Sequence, residues 1–487
     1  MDTAETVYAA TGNVEPPRET WRRGRWTALT LLCCAFALGA SLRLHALGSE
    51  ELSADEGASW AGAAAPTISG VIALEGALDP GKLAVYDLAL HTWIRLFGDS
   101  VRSLRMSSAL LGILGIALVF IAVRELLLQF SGQRDREIAS LSAAIAALVF
   151  ATNPAMVVSA RILRMYPLVL AAELAQVIFF IRVQRHGGIV NCLAAMLFAA
   201  LAVATNFTAA FLFIAEGLWL VYLMITRRAR IGAVRLRIAP ALVALVLAAL
   251  AVGLPVGEGI LAGVRGTRSG FLSWVVQYPP LVILGETAGW LAFPVLIAAA
   301  GLGFWAQRRR LGMALGFLGF WLCGPIAVAL LISKTLIPVM TPRYLLASFI
   351  ALFALAGIGV ASLKKEWERI AVCLLIVFLA LVQARITQAR ISNPWAKPEV
   401  QWREAIDFAL SKAAPGEQIA VVPSYAFNVV RYYLAPNLRD IPVGLERRCG
   451  PQRMVIMADV PPDLTTMMDS CFPRLIKRMR HVEVRAR

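Results

Sequence analysis

The chain has 487 residues, of which 59% are hydrophobic and only 16% are charged, and its mean hydropathy is +0.69. Soluble globular domains contain roughly 45–50% apolar residues even when glycine is included. The composition therefore argues against a soluble protein, and equally against a disordered one. The formal net charge of +16 would indicate a nucleic-acid partner in a soluble protein. In a membrane protein, the positions of the charges decide what the excess means.

Apolar stretches of about the length that a spanning helix needs follow one another along most of the chain. We predict eleven spans, give or take two, at 26-47, 103-128, 138-158, 166-182, 189-205, 208-226, 238-256, 281-305, 312-332, 344-362 and 370-388. The first stretch is longer than the roughly 7–15-residue core of a signal peptide, which favours a span. The sequence thus predicts a polytopic α-helical membrane protein, with a cytoplasmic tail over 1-25 and a transmembrane domain over 26-390.

Basic segments fall on alternate sides of the predicted spans, always on the side of the N-terminus. They lie at 18-25, 124-137, 182-185, 227-237, 308-310 and 364-369. The positive-inside rule makes that side cytoplasmic. Most of the positive charge is then a signal of membrane topology, and it gives no reason to expect nucleic acid. The odd number of spans puts the remaining C-terminal residues on the outer face.

Residues 391-487 are predicted to form a small α/β domain outside the membrane. Helices are expected over 400-410 and 425-434, and strands over 418-422 and 453-458. Two of the seven cysteines, Cys449 and Cys471, lie in this segment. An oxidising outer compartment would permit a disulfide between them, and the sequence leaves open whether it forms. No His or Cys spacing predicts a metal site.

The first outer loop, 48-101, is long and acidic, with Lys82 and Arg95 as its only basic residues. Its segments 54-65 and 83-97 predict short helices. The second carries aromatic and aliphatic side chains suited to the membrane interface. We therefore expect the loop to lie along the bilayer surface.

Asp55 and Glu56 open the first of these helices, directly after Ser53. Helix capping explains one acid at such a position. The other is a candidate general base, because a carboxylate at the edge of a low-dielectric region becomes a stronger base. For Glu50, Glu51 and Asp99, a solvated acidic loop is the preferred interpretation.

Cations are few on the predicted outer face of the spanning region. Arg161 and Arg164 are three residues apart, so on a helix they would share one face, with Tyr166 following. Such a pair can bind a phosphate or reach toward lipid headgroups. The other outer cations are Lys82, Arg95, Arg102, Arg105, Arg265, Arg268, Lys334 and Arg343.

Three glutamates, Glu173, Glu216 and Glu286, fall inside predicted spans. An ionisable group in the bilayer is costly, which makes it a functional candidate. Structural pairing with an arginine of another helix is the alternative, and the sequence assigns none of them a partner.

Several strings resemble those of one enzyme family. Residues 52-59, with Asp55-Glu56 at their centre, resemble the Asp-Glu motif of the first outer loop in GT-C glycosyltransferases, specifically the bacterial relatives of protein O-mannosyltransferases and of the lipid A aminoarabinose transferase (glycosyltransferase family 39-like). Residues 82-86 resemble that group's Lys-Pro-Pro-Leu-x-Tyr segment, although the two prolines are replaced here. The stretches 91-105, 153-166 and 341-345 are similar to its later motifs.

The resemblance implies a GT-C fold and transfer of a sugar from a polyprenyl-phosphate donor to an acceptor on the periplasmic face of a bacterial inner membrane. It assigns Asp55 as the base of an inverting displacement and Glu56 as the residue that orients Asp55 or the acceptor. The donor phosphate would be bound by Lys82, Arg161, Arg164, Arg343 and Tyr344, with Tyr86, Tyr166, Arg265 and Arg268 as possible additional residues. The acceptor stays open between a glycolipid, a polysaccharide and a protein.

The chemistry of a lipid-linked donor agrees with this assignment. The leaving phosphate develops negative charge, which cations stabilise. No cofactor is required, although an acidic loop could hold a divalent metal. A transporter or flippase for a lipid-linked sugar is the alternative, but it predicts charged groups near the bilayer midplane and inverted repeats. A non-catalytic relative of the fold is a third hypothesis, against which the presence of the motif residues argues.

Overall fold

The computed structural model describes residues 18–78, 83–131, 136–226, 228, 230–231, 234–235, 237–249, 257, 278–335, 339–390, 401–414, 417–434, 443–444, 452–458, 462–479 and 482–487. Within them the protein is mostly helical. The helices are α1 (Arg18–Leu44), α2 (Ala54–Ala63), α3 (Ile68–Leu78), α4 (Val85–Phe97), α5 (Val101–Ser131), α6 (Arg136–Thr152), α7 (Pro154–Arg161), α8 (Tyr166–His186), α9 (Ile189–Thr205), α10 (Ala210–Ile225), α11 (Ile238–Ala249), α12 (Pro280–Ala288), α13 (Phe293–Gln307), α14 (Gly312–Thr335), α15 (Leu346–Ala361), α16 (Glu366–Arg390), α17 (Trp402–Lys412), α18 (Phe427–Tyr433) and α19 (Pro462–Cys471).

Among the described residues, six helices are long and apolar enough to cross a membrane: α1, α5, α8, α10 with its preceding turn, α14 and α16. Two bent pairs raise the number to eight if each is one span, α6 with α7 at 58° and α12 with α13 at 93°. Three shorter apolar helices, α9, α11 and α15, complete the set. Each predicted span coincides with one of these helices or pairs, and the full count of eleven spans stays a prediction.

The bend between α6 and α7 has a local cause. Pro154 has no N–H, so the carbonyl of Phe150, four residues earlier, loses its helical donor. The guanidinium of Arg43 from α1 is fully buried at this point. It donates to the carbonyl of Ala151 at 2.8 Å and reaches that of Phe150 at 3.5 Å. Unpaired backbone groups in a bilayer cost several kcal/mol. By donating to these two carbonyls, Arg43 lowers the free-energy cost of the bend.

Asn153 completes the junction. Its side-chain oxygen accepts from the N–H of Met156 at 3.1 Å and so caps α7. Its amide nitrogen donates to the carbonyl of Ala288, at the end of α12, at 3.0 Å. The two bent pairs are thereby joined at their break points, and α7 is directed toward the first outer loop.

The first outer loop contains three helices. The two predicted ones are observed as α2 and α4, and α3 lies between them. Large apolar side chains are exposed on α3 (Ile68, Ile72) and at the end of α4 (Leu96, Phe97). These exposed side chains are suited to the membrane interface, as the sequence predicts for the second helix.

The C-terminal residues form a unit of helices and one five-stranded sheet, here called the C-terminal α/β unit (α17 to β7). Strands β1 (Arg230–Ile231) and β2 (Val234–Arg235) make a separate two-stranded ladder. The sheet of the unit contains β3 (Ile419–Val422), β4 (Val443–Gly444), β5 (Met454–Ala458), β6 (Arg474–Met479) and β7 (Val482–Ala486), in the order β4-β3-β5-β7-β6. The first three strands are parallel, and β7 is antiparallel to β5 and β6.

The predicted elements of this segment correspond to α17, β3, α18 and β5. Cys471 is disulfide-bonded, and five cysteines are free thiols, Cys33, Cys34, Cys192, Cys323 and Cys373. Cys449 lies outside the described residues, so its pairing with Cys471 stays a prediction.

Candidate active site

Glu56 anchors the first turn of α2 through its carboxylate, of which both oxygens accept hydrogen bonds. Its oxygens accept the N–H of Ser53 at 2.9 Å, two donors of the Arg105 guanidinium at 2.8 Å each, and the N–H of Leu163 at 2.9 Å. The Ser53 hydroxyl accepts in return from the N–H of Glu56 at 3.3 Å, which completes a capping box. Burial alone would raise the pKa of Glu56, but Arg105 and the two N–H groups outweigh it and lower the pKa.

Asp55, the preceding residue, has the opposite environment. Its side chain is 38% exposed, and one carboxylate oxygen lies 3.6 Å from a guanidinium nitrogen of Arg343. Arg343 comes from the short 3-10 turn Pro342–Tyr344 that precedes α15. Its guanidinium lies 5.9 Å from the ring centre of Tyr166 and 5.5 Å from that of Tyr344.

The environment of Arg343 keeps it charged. Tyr166 raises its pKa most, ahead of Tyr344 and Asp55, and these effects exceed the opposing effect of burial. An open carboxylate therefore faces a permanent cation that lies against two aromatic rings. This arrangement places an accessible carboxylate and a cation side by side at one point of the surface.

Arg164 lies on the same side of α2 as Asp55. One of its nitrogens donates to the backbone carbonyl of Asp55 at 3.2 Å and to the hydroxyl of Ser59 at 3.3 Å. Its charge also acts on the pKa of Arg343. Two cations thus lie beside the catalytic candidate.

Arg161 is directed elsewhere. It donates to the carbonyls of Leu42 and His45 at 2.8 Å each, at the C-terminal end of α1. The prediction that Arg161 and Arg164 share one helical face is wrong, because α7 ends at Arg161 and the next residue, Ile162, has an extended backbone (φ −99°, ψ 149°).

The remaining predicted residues divide into two groups. Tyr86 is buried on α4, which raises its pKa, and it is close enough to Arg164 for that charge to lower the same pKa. Lys82, Arg265 and Arg268 lie outside the described residues. Among the residues that are described, no group of three or more His, Cys, Asp or Glu side chains could hold a metal ion.

A narrow apolar crevice, with a volume of about 10 Å³, lies next to Tyr166. It runs between α5, α7, α8 and the start of α15. Gly112 and Gly115 of α5 line one wall, and Met156, Leu170 and Leu346 contribute others. Tyr166 also lines the crevice, and its ring lies 5.9 Å from the guanidinium of Arg343, so the crevice borders the charged site.

The three intramembrane glutamates lie apart from this cluster. Gln176 donates to Glu216 at 2.8 Å, and Trp290 donates to Glu286 at 3.2 Å. Glu173 and Glu216 are buried. Within the described part of the chain, neither of them forms an ion pair with an arginine or lysine.

Two residues of the site have no local sequence signal. Arg105 is 49 positions from Glu56, and the N–H of Leu163 is 107 positions away. Among the predicted outer cations, the signal that could have singled out Arg105 is its position just inside the start of the predicted span 103-128, where an unpaired charge is costly.

Comparison with solved structures gives the class of the fold. No protein-family model matches the chain, and no curated protein matches it in sequence. ArnT from Cupriavidus metallidurans bound to undecaprenyl phosphate superposes with a TM-score of 0.57 at 14% identity, over 93% of this chain and 97% of that one. The archaeal oligosaccharyltransferase AglB from Archaeoglobus fulgidus, in complex with an inhibitory peptide and a dolichol-phosphate, gives 0.54 at 13% identity, over 90% and 70%.

Both of these proteins are GT-C glycosyltransferases. The chain is therefore a multi-pass membrane protein with the GT-C fold, as the sequence resemblance implies. Its similarity to ArnT extends over nearly the whole length of both chains.

Proposed function

We propose that the protein is an inverting glycosyltransferase that moves a sugar from a polyprenyl-phosphate donor to an acceptor hydroxyl, or a similar nucleophile, on the periplasmic face of a bacterial inner membrane. The observation that carries the proposal is the pairing of the open Asp55 carboxylate with Arg343 at 3.6 Å. General-base catalysis needs an accessible carboxylate, and a phosphate leaving group needs a fixed cation beside it.

The reaction is a single displacement at the anomeric carbon. Asp55 takes the proton of the acceptor hydroxyl as the acceptor oxygen forms its bond to that carbon. The bond between the anomeric carbon and the phosphate oxygen breaks, and its electron pair leaves with the polyprenyl phosphate. Attack opposite the leaving group inverts the anomeric configuration.

Arg343 and Arg164 stabilise the charge that develops on the leaving phosphate, together with Lys82, and the hydroxyl of Tyr344 donates to it. Binding of the donor phosphate replaces the contact between Arg343 and Asp55, which frees the carboxylate to act as base. Glu56 holds α2 in place and takes no proton, because its four hydrogen bonds use both oxygens.

The polyprenyl chain of the donor enters the helix bundle at the crevice beside Tyr166, which widens to admit it. The crevice is lined mostly by apolar side chains, and the ring of Tyr166 lies 5.9 Å from the guanidinium of Arg343. Two solved structures with this fold contain bound undecaprenyl phosphate, in ArnT, and a dolichol-phosphate, in AglB. In the proposed topology of eleven spans, the N-terminus is cytoplasmic and residues 391-487 form a periplasmic domain.

The proposal is tested by extracting the lipid that co-purifies with the protein and identifying it by mass spectrometry. A polyprenyl-phosphate sugar is expected, and adding an acceptor extract to the detergent-solubilised protein should release free polyprenyl phosphate. A flippase would release none, because a micelle has no two compartments. Mass spectra without any phosphorylated polyprenol, together with no release of polyprenyl phosphate, would contradict the proposal.

A further inference from the structure

The helix that carries Asp55 is packed on a second side by the C-terminal α/β unit. Gly57 is the point of contact: a Cβ atom built on it would lie 2.6 Å from both the Cα and the backbone nitrogen of Val429 in α18. Carbon atoms in contact are normally about 3.5–4.0 Å apart. Any side chain at position 57 would therefore push α2 and α18 apart by on the order of 1 Å. A smaller residue at position 429 would not relieve the clash, because the atoms in contact belong to the backbone of that residue.

Hydrogen bonds hold the segment just before α2 to the same unit. The N–H of Leu52 donates to the Tyr433 hydroxyl at 2.6 Å. The Glu51 carboxylate accepts the N–H groups of Trp402 at 2.7 Å and Arg403 at 3.2 Å. Glu51 thereby caps the N-terminus of α17, where a negative charge is stabilising.

Nearly two turns into α2, an aromatic contact adds to these bonds. The ring of Trp60 meets that of Tyr432 edge to face at 5.1 Å. The Tyr432 hydroxyl donates to the carbonyl of Asp99 at 2.8 Å, and the Trp60 indole donates to the Asp99 carboxylate at 3.3 Å. Contacts to the C-terminal α/β unit thus alternate along the chain with contacts to Arg105, Arg164 and Arg343.

We infer that the C-terminal α/β unit is a positioning element of the active site: α18, seated on Gly57, sets the place of Asp55 relative to Arg343. The catalytic part of this inference rests on the proposed function. A base must stand within hydrogen-bond reach of the proton it takes, and a misplacement of 1 Å can lower a rate by about 10²-fold. Asp55 has no side-chain hydrogen bond of its own among the described residues, so the packing of α2 determines its position.

The test substitutes Gly57→Ala in the full-length protein, with Gly76→Ala as the matched control. Gly76 lies in α3 of the same loop, and nothing lies within 4 Å of a Cβ placed there. Gly57→Ala is expected to lower kcat for transfer by about 10²-fold, while the KM for the donor and the affinity for undecaprenyl phosphate change less than twofold. Amide hydrogen exchange should become faster over 54-63 and 427-433. The control should match the wild type in every measurement.

Tyr433→Phe provides a second, milder variant that removes only the bond to Leu52. It should lower kcat several-fold at unchanged donor KM, and it decides the question if Gly57→Ala does not fold. Wild-type kcat in the folded variant, or a loss of undecaprenyl phosphate affinity as large as the loss of kcat, would overturn the inference. If the wild type neither binds undecaprenyl phosphate nor transfers a sugar, the proposed function fails, while hydrogen exchange still shows whether α18 holds α2.

Discussion

Asp55 and Glu56 are adjacent in sequence but differ in burial and in hydrogen bonding. Successive residues of a helix point about 100° apart, so one carboxylate turns into the protein and the other outward. Glu56 is buried and makes four hydrogen bonds, whereas Asp55 is 38% exposed and faces Arg343. The sequence predicts that capping accounts for one of the two acids. The structure identifies Glu56 as that acid, which leaves Asp55 as the candidate general base.

Replacing Glu56 by Gln is expected to destabilise the protein by roughly 3–5 kcal/mol, because Arg105 is left as a buried charge without its partner. Thermal unfolding in detergent should show a clearly lower midpoint for Glu56→Gln. The matched control, Asp55→Asn, changes a half-exposed group and should leave the midpoint near that of the wild type. Equal midpoints for Glu56→Gln and the wild type would contradict the assigned role of Glu56.

Acid should remove the same stabilisation. The pKa of Glu56 is lower in the folded protein than its ordinary value, so its contribution is complete above the unfolded pKa of about 4.3. It is lost as pH falls through the lowered folded value. The wild-type midpoint should therefore fall more steeply below about pH 4 than that of Glu56→Gln. Parallel pH profiles of the two proteins would show that the ionised carboxylate is not stabilising.

Arg343 should contribute directly to binding of the donor phosphate. A hydrogen bond to a charged group is worth about 1.5–3 kcal/mol, so Arg343→Gln is expected to weaken undecaprenyl phosphate binding by about 10- to 100-fold. Arg343→Lys should recover part of the loss, because it keeps the charge without the planar fork. Microscale thermophoresis or native mass spectrometry measures the affinities. The assignment fails if Arg343→Gln binds as tightly as the wild type.

At the scale of elements, hydropathy predicts the spanning helices well because the bilayer forces every backbone group into local hydrogen bonds. Capping and amphipathic patterns likewise predict α2, α4, α17 and α18. Strands β4, β6 and β7 lack a clear sequence signal. β4 has only two residues, and β6 is an exposed strand rich in Arg and Lys, so no apolar run marks the hairpin that it forms with β7. The bend at Pro154 and the end of α7 at Arg161 also escape hydropathy, and the extended Ile162 that follows α7 is what separates Arg161 from Arg164. The ion pair between Glu56 and Arg105 depends on tertiary packing alone.

Arg43 should be essential to the bend between α6 and α7. Arg43→Met removes the donors that the carbonyls of Phe150 and Ala151 receive, and each unsatisfied buried group costs about 1–3 kcal/mol. The unfolding midpoint should fall accordingly, while Arg309→Met, at an exposed position of a predicted cytoplasmic segment, should leave it unchanged. If the unfolding midpoint of Arg43→Met equals that of the wild type, other groups donate to the carbonyls of Phe150 and Ala151.

For the whole molecule, the charge of +16 is predicted to report orientation rather than a polyanionic partner. In the predicted topology, basic segments mark one side of the membrane, and the acidic first loop lies on the other side with Arg164 and Arg343. The C-terminal α/β unit packs on α2, so it must share the side of the proposed site. The odd number of predicted spans puts the C-terminal α/β unit on this side of the membrane. Its contact with α2 has no signal in the sequence.

The topology can be measured by thiol labelling of intact spheroplasts. An impermeant maleimide should label Ser411→Cys, an exposed position on α17, without permeabilisation. Arg309→Cys, in a predicted cytoplasmic segment, should react only after the membrane is opened. The reverse pattern would place the proposed site in the cytoplasm and remove the basis of the periplasmic assignment.

The most direct test of the central claim is the turnover of Asp55→Asn. The substitution keeps shape and polarity but removes the base, so release of polyprenyl phosphate from the co-purified donor should fall at least 10²-fold. Undecaprenyl phosphate affinity and the unfolding midpoint should stay within error of the wild type. Asp407→Asn, the same change at an exposed position of α17, should turn over normally. Turnover of Asp55→Asn near the wild-type rate would contradict the account.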